Sequence, residues 1–200
     1  MLLYGASGHG KVISSVFEQL NEPIAGIFDD NPMNSVLNKY SVIGSYSTQL
    51  FVNEKIIISI GDNKIRKSLS NKVQHSFGIC VSPSSICDNS IKFGDGSVVL
   101  HGSIIQRDTL IGNHVIVNTS ASIDHDCIIS DYVHISPGAT LCGAVQVDEG
   151  THIGAGAIVI PNVRIGKWCI IGAGTVVVKD IPDFSLVTGV PGREIKKLNI

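Results

Sequence analysis

His125 has the surroundings expected of a general base. It is the one histidine of the chain with a carboxylate on both sides, Asp124 and Asp126. A carboxylate that contacts an imidazole orients the ring and raises its pKa, and general-base chemistry near neutral pH requires such a group. The alternative is an ordinary surface histidine without a chemical role. His125 is therefore the candidate base.

A glycine-rich turn near the N-terminus could bind phosphate. Gly5 to Lys11 follows a short apolar strand and leads into an apolar-periodic helix, so backbone N–H groups of the turn would point at an anion. The spacing, G-x-x-G-x-G, is neither the dinucleotide G-x-G-x-x-G nor a P-loop. A second strand, Ile24 to Phe28, ends at Asp29 and Asp30, about twenty residues further on, where Rossmann-like folds place an acid against a ribose hydroxyl. Together these features predict a nucleotide crevice, although each alone is also explained by a polar turn.

The sequence around His125 has a repeat of six residues, and the structural elements that position His125 must follow this repeat. An aliphatic or aromatic residue returns at every sixth position, and a small or modest side chain stands four places after each. Neither the helical period of 3.6 nor the strand period of 2 produces this pattern, which is typical of a solenoid of short strands. Burying each residue of the series contributes roughly 1.5–3 kcal/mol. The series is Phe93, Val99, Ile105, Ile111, Val117, Ile123, Ile129, Ile135, Leu141, Val147, Ile153, Val159, Ile165 and Ile171.

Three such repeats make one triangular coil, so residues eighteen apart stack in neighbouring coils. His125 then lies under Gly143, and the candidate base faces the space that a missing side chain leaves. A second column carries two imidazoles, and a third carries little bulk. These columns are His134 with His152, and Pro137 with Ala155 and Ala173.

The residues before the solenoid are predicted to form a small α/β unit. Ile56 to Ile60, apolar except for Ser59, is predicted to be a strand at the centre of a parallel sheet. The stretch Gly61-Asp62-Asn63 is predicted to provide the N-cap of a helix through Ile65, Arg66 and Leu69. A further strand is expected from Phe77 to Val81. The predicted domains are a Rossmann-like unit at 1–82 and the solenoid with its C-terminal cap at 83–200.

Composition restricts the classes of function. With 44% hydrophobic and 16% charged residues the chain is globular. A net charge of −2 and a pI near 6.4 provide no basic face, so nucleic-acid binding is not expected. The N-terminal residues resemble neither a signal peptide nor a membrane span, so membrane insertion is not expected and a cytoplasmic location is. The five cysteines form no CxxC and are expected to be reduced.

Four segments carry a resemblance to a known family: Gly5 to Gly10, Asn118 to Ser120, His125 to Cys127 and Val187 to Gly192. They resemble the sugar O- and N-acyltransferases among the hexapeptide-repeat enzymes, typified by sialic acid O-acetyltransferases and the bacillosamine and perosamine N-acetyltransferases. The resemblance implies a left-handed parallel β-helix behind a Rossmann-like domain that binds a nucleotide sugar. It also implies acetyl-coenzyme A (acetyl-CoA) as co-substrate, no metal, and a homotrimer with active sites between subunits.

The same resemblance implies roles for individual residues. His125 would be the catalytic base, and Asp126, where several relatives have glutamate, would increase its basicity. The implied nucleotide-sugar contacts are Ser7, Gly8, His9, Asp29, Asp30 and Gly61, with Asn118 near the acceptor. The implied acetyl-CoA contacts are His134, Gly143, Ala155 and Ala173.

The function expected is acetyl-CoA-dependent N-acetylation of the amino group of a nucleotide-linked amino sugar, in bacterial surface glycan biosynthesis. One alternative is O-acetylation of sialic acid or another glycan sugar. The other is a non-catalytic or metal-binding hexapeptide trimer, for which His101, His114 and His152 could be offered as ligands. Those three occupy different positions within the repeat, which argues against convergence on one ion.

Overall fold

The computed structural model describes residues 1–199. An α/β unit comes first, and a parallel sheet of β1, β2 and β5 forms its centre, with the β3–β4 hairpin added beyond β2. The strand order is β3-β4-β2-β1-β5. Its elements are β1 (Leu2–Tyr4), α1 (Gly8–Gln19), β2 (Gly26–Phe28), β3 (Val36–Leu37), β4 (Tyr40–Gly44), β5 (Ile56–Ile58) and α2 (Asn63–Ser70).

The prediction that the third apolar strand lies centrally in its sheet is wrong. Strand β5 is at the edge, paired with β1 on one side and joined to Phe77 by a single bridge on the other. All three of its residues are nevertheless buried, because Ile57 packs on the α1 side of the sheet and Ile56 and Ile58 pack on the α2 side. A continuous apolar run thus reports two covered faces and not a central place in the sheet.

Two further local predictions need correction. No continuous strand runs from Phe77 to Val81, since Phe77 makes only the bridge to Ile56 and Cys80–Val81 is already the first strand of the solenoid. The hairpin of β3 and β4 was not predicted. Asn38 turns it with a positive φ of 52°, a conformation that asparagine tolerates. The predicted N-cap is confirmed, because Asp62 Oδ1 accepts from the N–H of Ile65 at 2.9 Å.

The solenoid consists of two-residue strands that follow one another at six-residue intervals. They are β6 (Cys80–Val81), β7 (Ile86–Cys87), β8 (Lys92–Phe93), β9 (Val98–Val99), β10 (Ile104–Ile105), β11 (Leu110–Ile111), β12 (Ile116–Val117), β13 (Ser122–Ile123), β14 (Ile128–Ile129), β15 (His134–Ile135), β16 (Thr140–Leu141), β17 (Gln146–Val147), β18 (His152–Ile153), β19 (Ile158–Val159), β20 (Arg164–Ile165), β21 (Ile170–Ile171) and β22 (Val176–Val177).

Every third strand pairs in parallel with a register of eighteen residues, as in His134 beside His152. Three sheets result. Sheet 1 contains β6, β9, β12, β15, β18 and β21, and at its end β23 (Ser185–Thr188) and the antiparallel β24 (Arg193–Lys197). Sheet 2 contains β7, β10, β13, β16, β19 and β22, and sheet 3 contains β8, β11, β14, β17 and β20. The predicted solenoid is confirmed.

The core of the solenoid is the sixfold series together with the residue four places after each member. Every member of the series from Val99 onward is at most 5% exposed, and only Phe93, at the open end, is partly buried. Most hydroxyl groups at the corners donate to carbonyls fifteen residues further along, as when Ser97 Oγ donates to Gly112 O at 2.7 Å. Thr109 Oγ1 donates in the same way to Asp124 O at 2.7 Å. The buried Thr175 Oγ1 is an exception, with no partner among the described residues. Polar corner residues therefore cost the core little.

The α/β unit packs on the outer face of sheet 1. Ile13, Val16 and Phe17 of α1 and Leu3 of β1 share one apolar cluster with sheet 1 residues, including Leu100 and Ile116. A unit of this size gains much of its stability from such a neighbour. The boundary at residue 82 stays a prediction, and β6, on its N-terminal side, already pairs with β9. Within residues 1–199 no helix is long and apolar enough to cross a membrane.

Candidate active site

The glycine turn and Gly61 flank one crevice. Gly5 follows β1, and Gly61 follows β5 after two residues. The chain leaves β1 toward β2 on one side and reaches β5 on the other, so the carboxyl ends of β1 and β5 form the topological switch point where α/β sheets bind ligands. Ser59 Oγ donates to Gly5 O at 2.6 Å and ties the two loops together. Ser7 and Gly8 are exposed at the start of α1.

Asp29 and Asp30 lie at the carboxyl end of β2, beside this crevice. Asp29 holds the glycine turn, because its Oδ2 accepts from the N–H of Ala6 at 2.6 Å. The same carboxylate also accepts from Asn31 N and Asn34 Nδ2. Asp30 accepts from the Tyr4 hydroxyl at 2.6 Å and is exposed. Asp29 thus shapes the turn, and Asp30 presents a carboxylate at the rim.

His9 points inward from the glycine turn. Burial, with a further contribution from the charge of Arg66, lowers its pKa to about 4. Its Nε2 is buried and has no hydrogen-bond partner within the part of the chain that the structure describes. The ring centre is 6.3 Å from that of His134. His9 is thus a neutral, buried imidazole whose Nε2 has no partner among the described residues.

His134 connects the crevice with the solenoid. Its Nδ1 lies 3.2 Å from Gly61 O and its Nε2 lies 3.0 Å from Asn118 Nδ2. Because Gly61 O can only accept, Nδ1 carries the proton and Nε2 accepts from the Asn118 amide. Burial is the main cause that lowers the pKa of His134 to about 3, followed by the charge of His152. The structure thus brings Gly61, His9, His134 and Asn118 together.

A cavity of about 570 Å³ opens beside this group. Gly61, Asp62 and Lys64 at the start of α2 line one side, and His134 and His152 form part of the floor. Trp168 and the C-terminal residues Leu198 and Asn199 line the rest. His152 Nε2 lies 2.8 Å from Ser136 Oγ, and burial lowers the pKa of His152. The cavity joins a predicted acceptor contact, Gly61, to a predicted donor contact, His134.

His125 has the geometry of an activated base. It lies in the turn between β13 and β14 with 59% of its side chain exposed, and its Nδ1 is 2.7 Å from Asp126 Oδ2. Asp124 Oδ1 accepts from the His125 N–H at 2.9 Å. The hydrogen bond to Asp126 is the main cause that raises the pKa of His125, with the charge of Asp124 next. Asp126 therefore reaches the ring even though it is shorter than glutamate.

His125 and the crevice lie on different sides of the solenoid. Strand β13 belongs to sheet 2 and β14 to sheet 3, so His125 stands at the edge between these two sheets. The α/β unit, His134 and Asn118 lie on or beside sheet 1. Within one chain the structure does not bring the candidate base to the crevice.

Two family models match the chain: the PglD N-terminal domain over residues 1–73, and the bacterial transferase hexapeptide (six repeats) over residues 144–179. A mutant of perosamine N-acetyltransferase from Caulobacter crescentus, solved with CoA and GDP-perosamine, is 33% identical. The alignment covers 98% of this chain and 96% of that one, with a TM-score of 0.91. The chain belongs to the hexapeptide-repeat sugar acyltransferases.

Other members of the family agree with this. The acetyltransferase domain of PglB from Neisseria gonorrhoeae FA1090 is 33% identical over 97% of this chain and 98% of that one, with a TM-score of 0.89. WeeI from Acinetobacter baumannii AYE is 28% identical over 97% and 98%, with a TM-score of 0.85. A curated but uncharacterized protein of Acanthamoeba polyphaga mimivirus is 34% identical over 96 residues, and this chain spans 20% of its length.

These similarities decide three predictions. The left-handed β-helix with an N-terminal α/β region is confirmed as the fold, because the match to the Caulobacter enzyme spans nearly the whole of both chains. The protein is a sugar acetyltransferase. The PglB domain was also solved with acetyl coenzyme A and a further Caulobacter structure with CoA, so the prediction of acetyl-CoA as co-substrate is confirmed.

The surface of this acyltransferase has a bare strip that suits a long, thin donor. Gly138, Gly156 and Gly174 follow one another along the edge between sheets 1 and 2, and in residues 1–199 nothing lies within 4 Å of where a Cβ would be on any of them. Ala155 and Ala173, beside the last two, are exposed. The strip is open along three coils and offers backbone groups without obstructing side chains.

Gly143 lies at the other edge, directly against His125. A Cβ on Gly143 would be 2.7 Å from His125 Cε1 and 2.8 Å from Nε2. The space predicted above the base is therefore filled by the ring of His125 itself. The Gly143 N–H donates to no acceptor among the residues that the structure describes, so this donor is available to a substrate oxygen.

The histidines offered for a metal do not converge. His114 is buried, stacked on Tyr132 with ring centres 5.2 Å apart and edge-on to Phe77 at 4.4 Å. His152 lines the cavity on sheet 1 instead. No group of three metal-binding side chains is present in the described range, 1–199.

Sequence reasoning missed three residues where α2 meets the solenoid, namely Arg66, Lys67 and Trp168. Arg66 of α2 is 1% exposed and bonds both units of the chain. Lys67 pairs with Glu149 and lies 5.4 Å from the ring centre of Trp168. The one signal in the sequence is that Arg66 stands three places before Leu69, on the buried face of a short helix. Burial of an arginine is unusual, so this spacing does not predict it.

Proposed function

We propose that this acetyltransferase transfers the acetyl group of acetyl-CoA to the amino group of a nucleotide-linked amino sugar, in the biosynthesis of a bacterial surface glycan in the cytoplasm. The observation that carries the proposal is the junction at Gly61, where a nucleotide-type crevice meets His134 and Asn118 of the solenoid. The similarity to perosamine N-acetyltransferase over nearly the whole chain supports it.

The acceptor is bound by the α/β unit. Ser7, Gly8 and Gly61 offer backbone groups at the switch point, where a diphosphate fits the start of α1. Asp30 accepts from a ribose or base group, and Asp29 holds the turn in place. His9 and Asn118 contact the sugar beyond the diphosphate, and Asn118 retains an N–H that His134 does not use.

The donor lies along the edges of the solenoid. Ala155 and Ala173 form the floor of the bare strip for the pantetheine arm, His134 lies on sheet 1 beside it, and Gly143 approaches the thioester. Acetyl-CoA supplies the activated acetyl group. Small side chains are required along this path because a pantetheine arm contacts the backbone closely.

His125 and Gly143 perform the chemistry. The amino group must lose a proton as it attacks the thioester carbonyl, and His125 Nε2 takes that proton while Asp126 stabilises the resulting imidazolium. The Gly143 N–H donates to the carbonyl oxygen as negative charge develops on it, which is electrostatic stabilisation of the oxyanion-hole type. The intermediate collapses with cleavage of the C–S bond, and the CoA thiolate leaves and takes the proton held on His125. No acyl-enzyme is involved, since the amine attacks the thioester directly.

The active site is assembled between subunits of a homotrimer. His125 stands at the edge between sheets 2 and 3, whereas Asn118 and the crevice adjoin sheet 1. A neighbouring chain must therefore present its sheet 1 side to this edge. In a threefold arrangement each chain provides one such edge and one such side, so three complete sites form.

Complementation tests the shared site. Chains carrying His125→Ala and chains carrying Asn118→Ala are each expected to be nearly inactive. Trimers reassembled from an equal mixture contain sites with His125 from one variant and Asn118 from the other, so about a quarter of wild-type activity should return, because each site draws two chains at random. A mixture as inactive as its components would place both residues in one chain's site.

The function itself is tested by thiol release from acetyl-CoA. The purified protein is assayed against uridine-, thymidine- and guanosine-diphosphate amino sugars, with free sialic acid beside them. Release with one amino sugar establishes N-acetylation and names the acceptor. Release with sialic acid alone would transfer the assignment to the O-acetyl alternative.

A further inference from the structure

Arg66 is a buried cation at the junction between the two units. It is 1% exposed and its guanidinium makes five hydrogen bonds, as many as it has N–H groups. Nε donates to His114 O at 2.9 Å, Nη1 to Ile60 O at 3.1 Å and Gly61 O at 3.3 Å, and Nη2 to Asn63 Oδ1 at 2.8 Å and Tyr132 O at 2.9 Å.

None of these partners carries a charge. Across residues 1–199, Arg66 forms no ion pair within 4 Å, and burial lowers its pKa to about 10. It therefore stays protonated at neutral pH. Burying an unpaired charge is costly, and an apolar side chain of similar volume would often give a more stable protein. The retention of a charge here points to a role besides stability.

Attachment of α2 does not depend on Arg66 alone. Asn63 Nδ2 donates to Gly150 O at 3.0 Å and to Thr151 O at 3.3 Å. Lys67 pairs with Glu149 of the solenoid and lies over the ring of Tyr132. Of these three residues of α2, only Arg66 donates to the carbonyls of Ile60 and Gly61, the two residues called the crevice loop below.

The Gly61 carbonyl in turn determines the proton position on His134. It accepts from His134 Nδ1–H, so His134 Nε2 is left as an acceptor. The Asn118 amide fits the same arrangement, since its Oδ1 accepts from the Thr119 N–H at 2.8 Å and its Nδ2 faces His134 Nε2. Three hydrogen bonds thus connect the guanidinium with the Asn118 amide. Arg66 Nη1 and His134 Nδ1 both donate to Gly61 O, and Asn118 Nδ2 donates to His134 Nε2.

We propose that Arg66 is a positioning residue for acetyl transfer: it holds the Gly61 carbonyl against His134, and His134 then orients the Asn118 amide toward the acceptor sugar. The proposal rests on the proposed function, which places Asn118 at the acceptor. Lysine cannot replace arginine here, since one ammonium group cannot bond the crevice loop, Asn63 and the two solenoid carbonyls at once.

The first test is the tautomer of His134, read by ¹⁵N NMR of the ligand-free full-length protein labelled at histidine. His134→Gln assigns the signal. We expect a single neutral form with the proton on Nδ1 in the wild type, and a mixture with the Nε2 form in Arg66→Lys. A wild-type His134 that carries its proton on Nε2 overturns the proposal without any variant.

The second test is kinetic and uses Lys67→Met as the matched control, since it breaks a contact of α2 with the solenoid but none with the crevice loop. Arg66→Lys should lower kcat/KM for the acceptor roughly 10- to 100-fold, as expected for a misplaced contact group, with KM for acetyl-CoA within about twofold. Lys67→Met should stay within about threefold of wild type. If Arg66→Lys retains its acceptor kcat/KM, or if Lys67→Met loses as much, Arg66 only fastens the helix.

A double variant separates positioning from general damage. In an Asn118→Ala background, Arg66→Lys should cost no further activity, because the group through which it acts is gone. A full additional loss would contradict the route through Asn118. The tautomer measurement needs no substrate, so it tests the Arg66 contacts separately from the proposed function. A wild-type protein that fails to acetylate amino sugars would refute the proposed function, and the tautomer of His134 would still decide whether Arg66 positions it.

Discussion

Gly143→Ala should damage catalysis without damaging the fold. The φ angle of Gly143 lies outside the left-handed range, and Ala155 and Ala173 occupy the equivalent place in other turns of the solenoid. The backbone therefore accepts an alanine, and a glycine-to-alanine change of this kind stabilises a protein by about 0.4–1 kcal/mol. We expect an unchanged or slightly raised Tm.

The three atoms nearest to the new methyl group all belong to the ring of His125, the proposed base. It would stand 2.7 Å from His125 Cε1 and 2.8 Å from Nε2, whereas carbon atoms pack best at about 3.5–4.0 Å. The exposed ring must retreat by about 1 Å, and a displacement of this size can cost about 100-fold in rate. We expect kcat to fall roughly 100-fold, measured by thiol release at saturating acetyl-CoA and acceptor.

The reasoning has a sharp internal check. If the methyl group acts by moving the ring, Gly143→Ala should have no further effect on kcat in a His125→Ala background. An equal loss in that background would show that Gly143 acts through the donor and not through the base. A single variant that keeps kcat within about threefold of wild type would refute the placement of the ring against Gly143.

Three further outcomes follow from the contacts. Asp126→Asn removes the main cause that raises the pKa of His125, so the acid limb of the kcat/KM profile should move to lower pH while the plateau falls; an unmoved limb would mean that another group titrates. Asp29→Ala removes the acceptor of the Ala6 N–H and should raise KM for the nucleotide sugar about tenfold, with KM for acetyl-CoA as the unchanged control. Ile165→Ala, at a fully buried core position, should lower the free energy of unfolding by about 2–5 kcal/mol in urea titrations, and a smaller loss would indicate that the coil collapses around the gap.

The solenoid could be predicted from the sequence because its contacts obey a fixed interval. Once the repeat of six is recognised, the neighbour of any residue in the next coil is the residue eighteen positions later. His125 beside Gly143 is predicted in this way. The outward columns are read by the same rule, as the pairing of His134 with His152 shows. The eighteen-residue spacing does not give the direction in which an exposed side chain points. It therefore did not predict that the His125 ring occupies the space beside Gly143.

The contacts that join the two units follow no such interval. Arg66 bonds carbonyls of His114 and Tyr132, which are 48 and 66 residues away, and only the docking of α2 on sheet 1 brings them together. The edge position of β5 was not predicted for a related reason. Its apolar residues show only that both faces of the strand are covered, the second by helix α2. Which strands pair with β5 depends on where the chain crosses over, and composition does not show that. A repeat encodes its own neighbours, but an interface between unlike elements depends also on the polar atoms that it buries, which no fixed interval identifies. In this chain those atoms are a guanidinium, a carbonyl and an imidazole, and they meet where the proposed acceptor would bind.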